Sequence, residues 1–136
     1  MSFVPPVVTA FTAGLLLVMQ MALLFSVVLT RRRTRQSIGD GGNQKLLLAI
    51  RRHGNFAENA AVFIACFALL EILGGGRRGL MIMCAAFVLG RIAHIVGLMM
   101  KETVNPFRIG GIVLTISTGV ALGLQLITIA FPHLRG

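Results

Sequence analysis

The chain has 136 residues, 56% of them hydrophobic and only 12% charged, with a formal net charge of +9 and a mean hydropathy of +0.87. Its apolar residues come in long blocks instead of alternating with charge, which excludes an ordinary soluble core of this length and points to an integral membrane protein. The positive charge does not indicate nucleic acid, because it follows the basic bias of membrane-flanking loops and no aromatic-interleaved basic surface lies outside the apolar blocks.

The first block, Pro6 to Leu29, carries no charge. It is longer than the apolar core of a secretory signal, lacks a basic leader, and is followed by "RRRTR" like a stop-transfer flank, so it is read as a retained first helix, 6–30. The connection "RRRTRQSIGDGGNQK", Arg31 to Lys45, begins on the membrane surface and contains the Gly, Asp and Asn residues that favour turns. A second helix is expected over 44–73, starting in the cytoplasm before entering hydrocarbon. "GGGRRG", Gly74 to Gly79, is a short turn, and a third helix follows over 79–101, broken only by Arg91 and His94. "NPF", Asn105 to Phe107, precedes a fourth over 108–131. A span needs about 20 apolar residues, so the expected fold is an all-α, antiparallel four-helix transmembrane bundle forming one domain, 1–136.

Basic residues set the orientation. Arg31, Arg32, Arg33, Arg35, Lys45, Arg51, Arg52, Lys101 and Arg108 flank two connections on one side, against Arg77, Arg78 and Arg135 on the other. This places both termini outside the cytoplasm. Cys66 and Cys84 lie within spans and share no metal-ligand spacing with histidine, so they read as packing residues and no metal site is expected.

The chemistry concentrates in "AIRRHGNFAEN", Ala49 to Asn59. At about 100° per helical residue, Arg51, Asn55, Glu58 and Asn59 fall within an arc of about 100°, with His53 on the opposite side. One cation, one anion and two amides are thereby aimed together near the membrane interface, an arrangement that suits either a zwitterionic ligand or a neighbouring helix. On the third helix, Arg91 and His94 share a face with Leu98 beyond them. An ionised Arg91 inside a span requires a partner, such as Glu58, or a wetted cavity. Arg108, at the start of the fourth helix, suits an interfacial anchor.

"RRHGNFAEN" resembles the Arg-x-x-x-Asn-x-x-Glu-Asn/Tyr signature of the membrane-associated proteins in eicosanoid and glutathione metabolism, the MAPEG family. "GDGGNQKLLLAI" is similar to its small bacterial members, and "RIAH" to its third helix. The resemblance implies a homotrimer in the bacterial inner membrane that binds glutathione as co-substrate between subunits and turns its thiolate on a lipophilic substrate, as a transferase or peroxidase. By matching position, Arg51, Asn55, Glu58, Asn59, Arg91 and His94 would bind glutathione, and Arg108 would be catalytic by stabilising the thiolate. The chain has no tyrosine, whereas several family enzymes carry tyrosines at the positions of Asn59, His94 and Leu98, so thiol activation would rest on arginine. The principal alternative is a non-catalytic membrane binding or assembly protein with a structural ion pair between helices 2 and 3. A small exporter is a further reading, for which an acidic residue deep in the first helix is missing.

Overall fold

Four helices carry the chain in a computed structural model that describes residues 5–100 and 104–134. They are α1 Val7–Thr34, α2 Gln44–Ile72, α3 Arg77–Gly97 and α4 Pro106–Ala130, followed by a 3-10 turn over Phe131–Leu134. All four are long and apolar enough to cross a membrane. Lys101 and Arg135, used above for orientation, lie outside the described residues.

Local chemistry sets the helix ends. α1 runs through Arg31, Arg32 and Arg33, beyond the expected limit at 30, because cations are favourable beside a helix C-terminus. It stops at Arg35, in the left-handed region at φ 55°. The Arg31 guanidinium then turns back, donating to the carbonyls of Gln36, Ser37 and Gly39 at 3.3, 3.1 and 2.9 Å. This arginine therefore organises the following loop instead of standing free at the surface. Gly39, Gly41 and Gly42 supply the positive φ angles of that loop, and the Asn43 side chain caps α2 by accepting from the Leu46 amide at 3.1 Å.

α3 starts at Arg77, two residues before the expected 79. The "GGG" turn closes within four residues, as the Gly75 amide reaches the Leu70 carbonyl at 2.9 Å. α4 likewise starts at Pro106 instead of 108. Asn105 is its N-cap and Pro106 its first residue, where the missing amide proton costs nothing. Arg108 therefore sits inside the first turn and does not begin the helix.

Cross-helix contacts establish the antiparallel order. Glu71 at the end of α2 meets Val8 and Thr9 at the start of α1, and Asn55 early in α2 meets Arg91 late in α3. Gly97 at the end of α3 faces Arg108 at the start of α4. The core is built on aromatic rings: Phe63 stacks on Phe87 with centroids 3.9 Å apart, and Phe67 meets both edge-on. Leu16 of α1 and Leu122 of α4 complete this cluster. With lipid as solvent, such contacts stabilise through packing density more than through the hydrophobic effect.

Small residues make α3 and α4 the closest pair. A Cβ added at Gly111 would lie 2.6 Å from the His94 amide nitrogen, and one at Gly97 would lie 2.6 Å from that of Arg108. Neither position leaves room for a methyl group. Close backbone approach through glycine is a recurring solution for helices in membranes, and here it fixes His94 and Arg108 relative to each other.

Candidate functional site

At the end of the bundle that carries the start of α2, the helices diverge around a cleft of about 880 Å³, within the roughly 300–1,000 Å³ usual for small-molecule pockets. All seven residues singled out from the sequence line it: Arg51, Asn55, Glu58 and Asn59 from α2, Arg91 and His94 from α3, and Arg108 from α4. Leu98 lines it as well. His53 does not; it faces α1, its Nε2 2.7 Å from the Gln20 amide nitrogen. The helical rotation deduced from the sequence therefore describes α2 correctly on both faces.

The side chains differ in their freedom. Arg51 and Glu58 are exposed, while Asn55 and Asn59 are half-buried. The Asn59 amide donates to the Asn55 carbonyl at 2.8 Å, one turn back. Arg91 is only 2% exposed. Its guanidinium donates through Nη2 to the Asn55 side-chain oxygen and lies 6.0 Å from the centroid of the Phe56 ring. Among the described residues no ion pair joins Arg91 to Glu58. The partner expected from the sequence is thus replaced by a neutral amide, and the Glu58 carboxylate stays on the cleft wall.

Two buried polar atoms in this site lack a hydrogen-bond partner, Arg91 Nε and His94 Nδ1. An unmet buried polar group costs about 1–3 kcal/mol, more when charged, and both of these side chains line the cleft. The charge balance fits an anion: three guanidinium groups and one carboxylate line the space. Arg108 adds to this from the first turn of α4, which contains no acidic residue; a helix N-terminus carries partial positive charge and favours an anion there. Most of the remaining wall, including Leu47, Leu48, Ile112 and Ile116, is apolar and belongs to helices long and apolar enough to cross a membrane.

Asn105 was read from the sequence only as part of the "NPF" that ends the third connection, yet it holds this corner together. It is 3% exposed. Its side-chain oxygen accepts from the Arg108 amide at 2.9 Å, and its amide nitrogen donates to the Gly97 carbonyl at 2.8 Å. One side chain thereby ties the end of α3 to the first turn of α4. The Asn-Pro pair was the available signal, since Asn favours the cap position and Pro the position after it.

The seven residues offer no metal site, and among the described residues no cluster of His, Cys, Asp and Glu could hold one. What they offer is a cationic cradle with one carboxylate, opening beside apolar surface. The MAPEG family profile matches residues 9–128. The chain is also similar to Inner membrane protein YecN from two strains of Escherichia coli, with 34% identity over 91 residues, 66% of this chain and 69% of each relative. No solved structure gives a significant match.

Proposed function

The chain belongs to the MAPEG family, and from that premise we propose that it is a glutathione-dependent transferase or peroxidase of the bacterial inner membrane. The observation that carries this reading is the convergence on one cleft of Arg51, Asn55, Glu58, Asn59, Arg91, His94 and Arg108, with a buried polar atom on each of Arg91 and His94 still unmet. Glutathione at neutral pH presents two carboxylates, one ammonium and a thiol. Arg51 and Arg91 suit the carboxylates through charge-assisted hydrogen bonds, Glu58 the ammonium, and the two asparagines the peptide groups.

A free thiol titrates near 8.5, and a guanidinium in a poorly solvated site favours the thiolate. Arg108 supplies that charge, and the N-terminus of α4 adds to it. In transfer, the thiolate sulfur bonds to the electrophilic carbon while the leaving group departs. In peroxide reduction, the thiolate attacks the peroxide oxygen, the O–O bond breaks and the alkoxide takes up a proton; a second glutathione then releases water and the disulfide. The lipophilic substrate enters from the bilayer along the apolar wall. Homotrimeric assembly is part of the proposal, as is an orientation with the cleft on the cytoplasmic side, supported by the basic residues around it. A relative called an inner membrane protein supports the location.

Titration of detergent-solubilised protein with glutathione, by calorimetry and thermal shift, tests the reading together with thiolate absorbance near pH 7. Saturable stabilisation with a lowered thiol pKa is expected, and Arg108→Ala should abolish the thiolate signal while the protein stays folded. No binding to an intact, correctly assembled protein would overturn it.

A further inference from the structure

A second concavity lies on the other side of α3, between α3 and α1, with a volume of about 600 Å³. On α3 it is lined by Arg77, Met81, Ala85 and Leu89, four residues apart and so on one stripe; α1 contributes Phe11 and Leu15. The stripe is apolar except at its head, where Arg77 opens the helix at the membrane surface. From Arg77 to Leu89 it covers about 18 Å at 1.5 Å per residue. Half of a bilayer's hydrocarbon is about 15 Å, so the groove runs the depth of one leaflet and ends near the midplane.

Spread over about 18 Å of helix, a volume of about 600 Å³ is a narrow furrow. An extended hydrocarbon chain is thin enough to enter. The guanidinium at the mouth selects what the chain is attached to, because a phosphodiester at the interface is the anion that arginine pairs with there. α3 begins at the same point with no side-chain cap, so its partial positive charge lies at the same end. Glu71, the nearest acidic residue in sequence, feels the Arg77 charge, but both its carboxylate oxygens accept from the amides of Val8 and Thr9 and stay at the start of α1.

We infer that the α1–α3 groove is a phospholipid site, with an acyl chain of the leaflet on the α2–α3 turn side seated along Met81, Ala85 and Leu89 and the phosphate on Arg77. It is separate from the cleft that holds Arg91 and does not depend on the glutathione reading. Binding there joins α1 and α3, whose mutual packing is slight compared with that of α1 on α2 or α3 on α4.

The chain has no tryptophan, so Met81→Trp gives a single emitter within the groove and Ile82→Trp one on the neighbouring surface, where Ile82 is 63% exposed. Phosphatidylglycerol with brominated acyl chains is titrated into each protein in detergent. Saturable quenching is expected for Met81→Trp and quenching proportional to lipid content for Ile82→Trp. Arg77→Ala in the Met81→Trp background should raise the half-saturation about tenfold, as for one lost charge-assisted contact, with Arg78→Ala nearly silent. Ala85→Phe, which fills the groove without touching the guanidinium, should remove the saturable component. Parallel, unsaturable quenching at both positions would overturn the site. So would a Met81→Trp emitter that no amount of lipid reaches, which would mean that a second copy of the chain covers the groove, or a half-saturation indifferent to Arg77.

Discussion

Replacing Asn105 with alanine tests how the cleft is held in shape. The side chain accepts from the Arg108 amide in a half-buried hydrogen bond and donates to the Gly97 carbonyl in a buried one. Loss of an asparagine cap costs about 1 kcal/mol, and loss of the bond to the Gly97 carbonyl, which keeps a weaker one from the Met100 amide at 3.4 Å, about 0.5–1.5 kcal/mol, so Asn105→Ala should destabilise the protein by about 1.5–2.5 kcal/mol. Asn105→Asp separates the two parts: it keeps the acceptor for Arg108 but cannot donate to Gly97 when ionised, and should lose at least the second contribution. Equilibrium unfolding in mixed micelles measures both variants, and glutathione titration measures the consequence for the site. In Asn105→Ala the first turn of α4 loosens and Arg108 loses its fixed position, so affinity should fall even under conditions where the variant is fully folded. A variant with unchanged stability and unchanged binding would refute the idea that this side chain ties α3 to α4.

Three further perturbations probe the scaffold. Gly97→Ala places a methyl against the Arg108 backbone and should weaken glutathione binding, whereas Gly110→Ala, with open space at its Cβ, should bind normally and unfold no more easily; equal behaviour of the two in the same titration would count against close α3–α4 packing. Glu71→Ala removes the acceptor of the Val8 and Thr9 amides and should cost about 1–3 kcal/mol in detergent unfolding, with faster hydrogen exchange confined to the first turn of α1. Arg31→Ala should speed exchange at the loop amides over 36–42 while leaving the α1 interior protected; uniform protection would show that its three carbonyl contacts do not order the loop.

The four spans were legible because uninterrupted apolar runs of this length have few other uses. Their ends were harder. Arg31–Arg33 read as a loop flank from charge alone, yet cations are favourable at a helix C-terminus and α1 continues through them. At α4, proline was taken as the end of a connection, although after an asparagine it marks the first helical residue. The face of α2 followed directly from helical periodicity, which is why four ligand candidates and the opposed His53 fell where expected. Periodicity gives direction but not reach, and so it left Arg91 open between a partner such as Glu58 and a wetted cavity: Asn55 is the side chain that meets the guanidinium, and Arg91 lines the cleft. Glu71 had no signal of its own, since its role depends on how the end of α2 registers against the start of α1.

The contrast between Glu71 and Arg91 gives the strongest physical ground for treating one end of the bundle as a site. Both are ionisable side chains withdrawn into an apolar bundle, at 8% and 2% exposure, and both carry the high cost of charge within a membrane protein. Glu71 meets that cost internally: each carboxylate oxygen accepts from a backbone amide, at 3.0 and 2.8 Å, and those amides belong to a helix N-terminus that Pro6 cannot cap with a side chain. Two unfavourable features therefore cancel, and nothing remains for a ligand to do. Arg91 has a neutral amide and the edge of an aromatic environment, its Nε is unmet, and one turn away His94 Nδ1 is unmet as well. A bundle stabilised for packing alone would gain by replacing both with apolar residues. Here they border an open cleft lined by two further guanidinium groups and the Glu58 carboxylate, so among the described residues the excess of positive charge at this end gives an anion from outside the chain a place to enter.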